Sequence, residues 1–372
     1  MARALTSEQQ DLVDAVTQFC RREVGTGTPG VHHDQELYRK MADLGWLGIS
    51  LPEKYGGSGL GMTELRLFLE TTAYWKAPIS GFATTIISAA AYERFGTEEQ
   101  KQAVLTGVVQ GRVESISMSE PGAGSDVGAL SCRAERRPGG YLINGQKTWC
   151  SNAHIADHIL LIARTSTDGG KHDGLTQFMV PTNIDGLEIR GIDTMGGKEV
   201  NDLFFTDCFV PDSAVVGEVG HGWKQLMAGL NLERMILAAN MLGTAQRAFD
   251  DTVTYVKQRE QFGRPIGSFQ ALRHRIADMA TELECARLLV ADVARTIDEN
   301  PDKMFPREAS MAKLKCTELA KHVALEGMQM MGGYGYATEY GMEAVLRSTV
   351  VSTVYGGTSE IQRDIIGKSY GL

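Results

Sequence analysis

Hydrophobic and polar positions change their spacing twice along the 372-residue chain. Up to about residue 113, and again from about residue 217, apolar residues recur at helical spacing in long segments. Between these parts, short β-like runs alternate with turn signals such as Pro138-Gly-Gly and Asp168-Gly-Gly. The pattern predicts a helical N-terminal domain (1–113), a middle β-domain (114–216) and a helical C-terminal domain (217–372).

Polar residues at the ends of the apolar runs predict where helices begin. Ser7 and Asp34 are each expected to cap a helix, and Thr97 forms a capping box with Gln100. In the C-terminal domain, helices are expected at residues 222–258, 269–300, 306–331 and 342–354.

The middle domain is expected to be mostly antiparallel. Strand candidates cover residues 116–119, 141–144, 158–164, 176–180, 187–190 and 203–210. Asn144-Gly145 is expected to be a two-residue hairpin turn that leads into Trp149 and Ser151.

Composition narrows the classes of function. A net charge of −9, without a long Lys/Arg cluster, argues against a nucleic-acid partner. The six cysteines lie far apart and lack the paired spacing of a zinc site, so we expect reduced thiols and no metal. The N-terminus has no apolar secretion core, and no run approaches the roughly 18 apolar residues of a membrane span. We therefore expect a cytoplasmic protein that does not enter the membrane.

One carboxylate, Glu233, lies in an apolar helical stretch, Gly229–Ala239. Adjacent residues of a helix do not face each other, so Glu233 and Arg234 cannot simply neutralise one another. A carboxylate in an apolar wall has a raised pKa, which makes it a usable base near neutral pH. The alternative interpretation is a structural ion pair with another helix.

Three further stretches could carry chemistry: Met118–Asp126, Ile143–Asn152 and Tyr355–Gln362. In the first, glycines and serines let backbone N–H groups approach a flat or anionic ligand. It is not a GxGxxG motif followed by a helix, so a Rossmann nucleotide site is not indicated. Taken singly, these stretches also fit an ordinary loop, a core tryptophan and a pair of helix caps.

Together, the order and spacing of these stretches resemble the acyl-CoA dehydrogenases, flavoenzymes that desaturate acyl thioesters. The resemblance runs nearly end to end, through Phe95–Lys101, SEPGAGSD, INGQKTW, Arg259–Ile266, Gln329–Gly335 and YGGTSEIQR. It implies a mostly α fold with a helical N-domain, a small β-barrel-like middle domain and a C-terminal four-helix bundle. It also implies FAD.

The resemblance assigns roles to individual residues. Those implied around the flavin are Met118, Ser119, Trp149 and Ser151, with the Ser151 hydroxyl near flavin N5. Ser125 is implied at the pantetheine arm, and Arg234 at the CoA arm or a neighbouring loop. Residues implied to reach the FAD of a neighbouring subunit are Arg259, Phe262, Gln270, Gln329 and Gly333, while Thr358 and Glu360 match positions near the adenosine. A homotetramer or homodimer is therefore expected, since a second chain completes each site.

The chain departs from many family members at the catalytic base. Many relatives carry the base in the C-terminal motif, where this chain has Gly356. A smaller set, similar to isovaleryl-CoA and long-chain acyl-CoA dehydrogenases, carries it at the position of Glu233. The resemblance thus implies that Glu233 takes the α proton, flavin N5 takes the β hydride, and the Gly356 N–H helps to hold the carbonyl oxygen. The product is the trans-2-enoyl thioester, and an electron-transferring flavoprotein is the expected electron acceptor.

Alternatives remain at this point. The acyl or aminoacyl group, for example a prolyl group, could be tethered to a carrier protein rather than to CoA. Related flavin monooxygenases share the fold, but they generally lack a glutamate in either base position, so Glu233 argues against them. A non-catalytic flavin-binding scaffold is disfavoured by the intact set of site residues.

Overall fold

The computed structural model describes residues 5–25 and 30–372. Its helices are α1 (Ser7–Glu23), α2 (Gln35–Asp43), α3 (Met62–Tyr74), α4 (Gly81–Phe95), α5 (Glu98–Val109), α6 (Gly222–Gln258), α7 (Gln270–Glu299), α8 (Pro306–Met331), α9 (Gly333–Tyr336), α10 (Met342–Val350) and α11 (Ser359–Lys368). Its strands are β1 (Glu114–Ser117), β2 (Arg133–Arg137), β3 (Gly140–Ser151), β4 (His158–Arg164), β5 (Leu175–Pro181), β6 (Leu187–Thr194), β7 (Gly197–Pro211), β8 (Val215–Val216), β9 (Glu260–Gln261) and β10 (Arg264–Pro265).

The chain forms two compact units, and the first comprises Met1–Val31, Leu60–Pro78 and Asn231–Leu372. In this helical unit, α3 packs against α1 and α7, and α8 packs against α7, α10 and α11. The Asp298 carboxylate, on α7, accepts hydrogen bonds from Met62 N and Thr63 N at 2.6 and 2.9 Å. It thereby satisfies two of the N–H groups that the first turn of α3 leaves without a helical partner.

The second unit comprises His32–Gly59 and Ile79–Leu230, and it contains the large sheet. The strand order is β6-β7-β3-β2-β4-β5-β8, and β1 runs parallel to β4 at the side of this path. Residues 159–163 of β4 are all fully buried. This burial on both faces explains why β4 is continuously apolar instead of alternating.

Most helix positions agree with the sequence pattern, and two predicted caps are observed. The Asp34 side chain caps α2, and Thr97 forms the predicted capping box at the start of α5. The N-cap of α1 is Thr6 and not Ser7, so that prediction was wrong by one residue. The reason is that Gln9 lies three residues after Thr6 and completes a capping box with it.

Strand positions agree less well at β1. The sequence predicted a strand at 116–119, whereas β1 covers Glu114–Ser117. Met118 and Ser119 therefore follow the strand and begin the loop that leads to β2. This shift matters for function because residues in a loop can turn their backbone groups toward a ligand.

The Asn144-Gly145 pair is not a hairpin turn, and that prediction was wrong. Both residues lie inside β3, and the β2–β3 hairpin turns at Pro138-Gly139. The register between β3 and β7 shifts at Gly145, which marks a β-bulge. Asn144 Oδ1 accepts a hydrogen bond from Asp207 N at 2.9 Å, and a Cβ at position 145 would approach Cys132 Cα to 2.8 Å. Asn-Gly here serves a bulge and a close backbone approach.

Candidate active site

A buried ion pair in the second unit holds the glycine-rich loop that follows β1. Lys147, on β3, is 0% exposed and Glu120 is 5% exposed, and Lys147 Nζ lies 2.9 Å from Glu120 Oε1. Lys147 Nζ also donates a hydrogen bond to Met118 O at 2.9 Å. The pair thus joins a central strand of the sheet to the start of the loop.

Glu120 also fixes the far end of this loop. Its Oε2 accepts hydrogen bonds from Ser131 N and Ser131 Oγ at 2.7 and 2.8 Å, and its Oε1 accepts one from Cys132 N at 2.8 Å. Burial by itself would raise the pKa of Glu120, but Lys147 and these N–H groups outweigh burial and lower it. The ionised carboxylate therefore holds both ends of the loop.

Trp149 presents a flat apolar surface close to this loop. Its φ angle is 60°, which is unusual for a bulky residue, and its side chain is 59% exposed. The neighbouring Thr148 N donates to Ser119 O at 2.9 Å, so the tryptophan strand and the loop are joined. Strained backbone that displays a large apolar ring is typical of a ligand site. The arrangement fits a flat aromatic ring such as the isoalloxazine of FAD.

The two serines predicted for this region lie in different surroundings. Ser151 is half-buried at the end of β3, and its carbonyl accepts a hydrogen bond from Ser115 Oγ at 2.6 Å. Ser125 is exposed, and the adjacent Asp126 forms an ion pair with Lys171 at 2.8 Å. The Ser125 hydroxyl is accordingly accessible to a ligand that lies across the loop.

In the first unit, Glu233 of α6 lies beside the turn between α10 and α11. A Cβ atom built on Gly356 would lie 3.4 Å from Glu233 Oε1 and would overlap the Leu237 side chain. Gly356 and Gly357 have φ angles of 60° and 78°, which favour glycine. The turn therefore needs glycine both for its backbone conformation and for its close contact with α6.

The Glu233 carboxylate forms no hydrogen bond or ion pair with any residue that the structure describes. Its side chain is half-buried. Burial raises the pKa of Glu233, and the charges of Arg234 and Lys313 offset this only in part. The structural ion pair that was an alternative interpretation of Glu233 is thus not present in the described residues.

Arg234 is almost entirely buried, with 7% of its surface exposed. Its Nε atom is buried and has no hydrogen-bond partner within residues 5–25 and 30–372. Burial lowers the pKa of Arg234, and the charge of Glu233 opposes that shift. A buried donor without an acceptor costs free energy, so a polar ligand group at this position would be stabilised.

Four of the residues predicted to bind cofactor line two surface clefts of the first unit. Arg259 and Gly333 line a cleft of about 490 Å³, and the Arg259 guanidinium lies 5.3 Å from the Tyr334 ring centre. Thr358 and Glu360 line a second cleft of about 480 Å³. The Thr358 side chain also caps α11.

Three further predicted residues are exposed and lie outside these two linings. Phe262, in the turn between β9 and β10, is 92% exposed. Gln270 begins α7, and Gln329 lies in the last turn of α8. The structure therefore groups Arg259 with Gly333, but it does not place Gln270 or Gln329 in the same cleft.

Sequence reasoning missed three polar residues that support these sites. Lys147 and Glu120 stand inside the motifs, but nothing in the sequence shows that they pair with each other. Lys313 lies on α8, far from every motif, and its Nζ donates to Ser352 O and Gly357 O at 3.0 and 2.9 Å. The available signal was a lysine within the apolar run Ala309–Leu314, which a buried helix face does not ordinarily contain.

Comparison with known proteins defines the class. The family models for the N-terminal, middle and C-terminal domains of acyl-CoA dehydrogenase match residues 6–112, 115–208 and 220–371. The chain therefore belongs to the acyl-CoA dehydrogenase family. It is an oxidoreductase that carries out FAD-dependent oxidation of acyl-CoA.

Individual relatives agree with this assignment. The chain is 37% identical to mitochondrial isovaleryl-CoA dehydrogenase of Solanum tuberosum, across 97% of this chain and 90% of that protein. It superimposes on butyryl-CoA dehydrogenase from Megasphaera elsdenii with a TM-score of 0.93 at 32% identity, covering 100% of both chains. It is also similar to the prolyl acyl carrier protein oxidase AnaB, with a TM-score of 0.91 at 30% identity over 99% of this chain and 100% of that one. No described helix combines the length and the apolar character needed to span a membrane.

Proposed function

We propose that this protein desaturates an acyl-CoA thioester between its α and β carbons, with Glu233 as the base that takes the α proton. The observation that carries the proposal is the Glu233 carboxylate, which has no partner among the described residues and lies 3.4 Å from the position that a Gly356 Cβ would occupy. Burial raises the pKa of Glu233, so it holds a proton more readily than an exposed carboxylate. The product is the trans-2-enoyl-CoA.

The Gly356 N–H is the proposed donor to the substrate carbonyl. The α proton of a thioester is too weakly acidic for a carboxylate alone, so the carbonyl oxygen needs donors while negative charge develops on it. Among the described residues, the Gly356 N–H has no hydrogen-bond acceptor. Glu233 and this N–H are thus suited to act on the α proton and the carbonyl oxygen of one thioester.

FAD, when bound, supplies the acceptor for the hydride that leaves the β carbon. The residues proposed to hold the cofactor are Met118, Ser119, Trp149, Ser151, Thr358 and Glu360. Trp149 offers an exposed aromatic face for stacking. Ser125 and Arg234 are proposed to bind the CoA part of the substrate, the former through its exposed hydroxyl and the latter through its free Nε donor.

A second copy of the chain is proposed to complete each cofactor site, in a homotetramer or a homodimer. The residues proposed to reach the neighbour's FAD are Arg259, Phe262, Gln270, Gln329 and Gly333. The 92% exposure of Phe262 is consistent with this, because its ring is accessible to a neighbouring chain. Light scattering of the flavin-loaded protein tests the assembly, and a monomer that keeps its FAD would contradict it. An electron-transferring flavoprotein is the proposed electron acceptor.

Short branched acyl groups are the proposed substrates. Leu237, and not a side chain at position 356, borders the volume beside Glu233 where a branched α or β carbon would lie. The likeness to an isovaleryl-CoA dehydrogenase supports this choice. A thioester tethered to a carrier protein is the second candidate, supported by the likeness to a prolyl acyl carrier protein oxidase.

Anaerobic mixing with thioesters tests the proposed function. Straight, branched and cyclic acyl-CoAs are added to the flavin-loaded protein, and flavin absorbance and the thioester product are measured together. We expect bleaching of the flavin and a matching amount of enoyl-CoA, fastest with isovaleryl-CoA. Bleaching by a prolyl carrier-protein thioester but by no acyl-CoA would favour the second candidate. Flavin that stays oxidised with every thioester would contradict both.

A further inference from the structure

Lys313 is a fully buried cation that the proposed reaction does not yet use. It lies on α8 and is 0% exposed. Its ammonium forms no ion pair with any described carboxylate and donates to two backbone carbonyls, Ser352 O at 3.0 Å and Gly357 O at 2.9 Å. Burying a charge without a counter-ion costs free energy, so the hydrogen bonds from the ammonium to these carbonyls must offset that cost.

The two carbonyls lie on either side of the turn that contains Gly356. Gln362 Nε2, on α11, donates to Gly356 O and Gly357 O, both at 2.9 Å. Lys313 and Gln362 together thus hold three carbonyl oxygens of residues 352–357. Since these carbonyls are engaged from the protein side, the orientation of the adjoining peptide planes is fixed.

The Gly356 N–H belongs to the peptide between Tyr355 and Gly356, which lies between the peptides that Lys313 and Gln362 hold, so its rotation is restricted from both sides. Gly356 and Gly357 have φ angles of 60° and 78°, a conformation that glycine leaves readily when nothing restrains it. Donors that stabilise a developing oxyanion are effective only when they are oriented before the reaction begins. Because glycine has the greatest backbone freedom, this turn depends on hydrogen bonds from neighbouring side chains to keep the N–H oriented.

We propose that Lys313 is a positioning residue, whose ammonium clamps the carbonyls of Ser352 and Gly357 so that the Gly356 N–H is aimed at the substrate carbonyl. The same charge favours the ionised form of the neighbouring Glu233. This inference rests on the proposed function, in which the thioester carbonyl lies at the Gly356 turn. It adds to that function a second residue, on a different helix, that the motifs do not contain.

The carbonyl stretch of a bound thioester reports the donor directly. The probe is 3-methylcrotonyl-CoA labelled with ¹³C at its carbonyl, and its infrared band is measured on the flavin-loaded protein. In wild type we expect the band at lower frequency than in water, because the Gly356 N–H polarises the carbonyl. In Lys313→Met the band should return most of the way to its position in water. Stopped-flow flavin reduction by isovaleryl-CoA should slow on the order of 10²-fold, the scale for loss of one oriented donor.

Matched variants separate positioning from folding. Lys315→Met is the control, because Lys315 lies on the same helix, forms a surface ion pair with Glu282, and should change neither reading. Lys313→Gln keeps a polar side chain and guards against a variant that fails to fold. It should show the same changes in smaller degree, with FAD content retained. A carbonyl band that stays at the wild-type frequency in Lys313→Gln or Lys313→Met would overturn the inference.

Glu233→Gln, measured in parallel, distinguishes this inference from the proposed base. That variant should keep the shifted carbonyl band while losing flavin reduction. If Glu233→Gln reduces its flavin at the wild-type rate, the proposed base is wrong, whereas the role of Lys313 is still decided by the carbonyl band.

Discussion

Two lysines of this protein are equally buried but are used differently. Lys147, in the β-sheet unit, pairs with Glu120 at 2.9 Å, whereas Lys313, in the helical unit, donates hydrogen bonds to the carbonyls of Ser352 and Gly357. At Lys147 the charges of both partners are cancelled locally. Within residues 5–25 and 30–372, Lys313 forms no ion pair with a carboxylate, and the nearby Glu233 carboxylate accepts no hydrogen bond.

This difference distinguishes a structural ion pair from a carboxylate that can take part in proton transfer. An ion pair closed on itself holds a loop in place, but it offers no group that can gain or lose a proton. A carboxylate that has cations nearby but contacts none of them can gain and lose a proton. The nearby cations favour its ionised form, and its oxygens accept no hydrogen bond that a proton would have to displace. The comparison therefore supports the proposed roles, in which the Lys147 pair holds the loop after β1 and Glu233, near Lys313, transfers the proton.

The largest expected effect comes from breaking the closed pair. Lys147→Met leaves the buried Glu120 carboxylate without its cation, which should cost about 3–5 kcal/mol of folding free energy. The loop at Met118 should loosen, so FAD retention should fall as well. Denaturant unfolding and FAD content measure the two effects.

A double variant checks that the pairing is the cause. Adding Glu120→Gln to Lys147→Met removes the uncompensated charge and should restore part of the lost stability. Additive losses in the double variant would show that the two side chains stabilise the loop independently of each other.

The second effect concerns rate and not stability. Glu233→Gln should retain FAD but lose turnover by on the order of 10²-fold or more, the usual scale for a positioned base. Glu308→Gln, at the start of α8, is the control and should keep normal turnover, because Glu308 is partly exposed and pairs with Arg307. Near-normal turnover in Glu233→Gln would remove Glu233 from the mechanism.

A third, partial effect tests whether the two base positions are interchangeable. Glu233→Gly should be inactive, and adding Gly356→Glu should restore some activity, since the two positions are adjacent. Recovery should be incomplete because Gly356 has a φ angle of 60° and a side chain there overlaps Leu237. The rescued enzyme should prefer straight to branched acyl chains. Adding Leu237→Ala should improve the rescue, and equal inactivity of all these variants would show that the positions do not exchange.

The smallest effect is on the pH dependence. Burial raises the pKa of Glu233, so activity should fall as pH drops through that raised value and the base becomes protonated. Burial lowers the pKa of Lys313 to about 8, against the opposing effect of Glu233; Arg234 lowers it further, and Glu318 and Glu360 raise it. Activity should therefore also fall above about pH 8, where the ammonium loses its charge.

The free energy of unfolding should rise over the same alkaline range in which activity falls. Above about pH 8 the unfolded chain keeps Lys313 protonated while the folded protein does not, so this residue's contribution to stability rises with pH. Between about pH 8 and 10, kcat/KM should fall while the denaturant midpoint rises. In Lys313→Gln, kcat/KM should no longer fall at alkaline pH. If it still falls in this variant, a group other than Lys313 causes the loss of activity.

Much of the fold could be predicted because it depends on local patterns. The bounds of α6 and α8 were predicted to the residue, and the caps at Asp34 and Thr97 are observed. Asn144-Gly145 misled the prediction because the same dipeptide serves a β-bulge as well as a hairpin, and only the partner strand decides which.

The candidate site was predicted only as far as its motifs extend. Glu233 and Gly356 could be compared because a known family carries a base at one or the other position. The pairing of Lys147 with Glu120 spans 27 residues, and the bond from Lys313 to Gly357 spans 44. Such contacts depend on how distant segments pack, so a sequence without an alignment does not reveal them.

Isotope exchange tests, without any redox step, whether Glu233 removes the α proton of the thioester. Methylthioacetyl-CoA deuterated at its α carbon can lose an α proton but has sulfur at the β position, so it offers no hydride. Mass spectrometry then follows loss of deuterium to water on the flavin-loaded protein. We expect wild type to catalyse the exchange, and we expect the thioester to keep its deuterium on Glu233→Gln. Equal exchange by both proteins would contradict it.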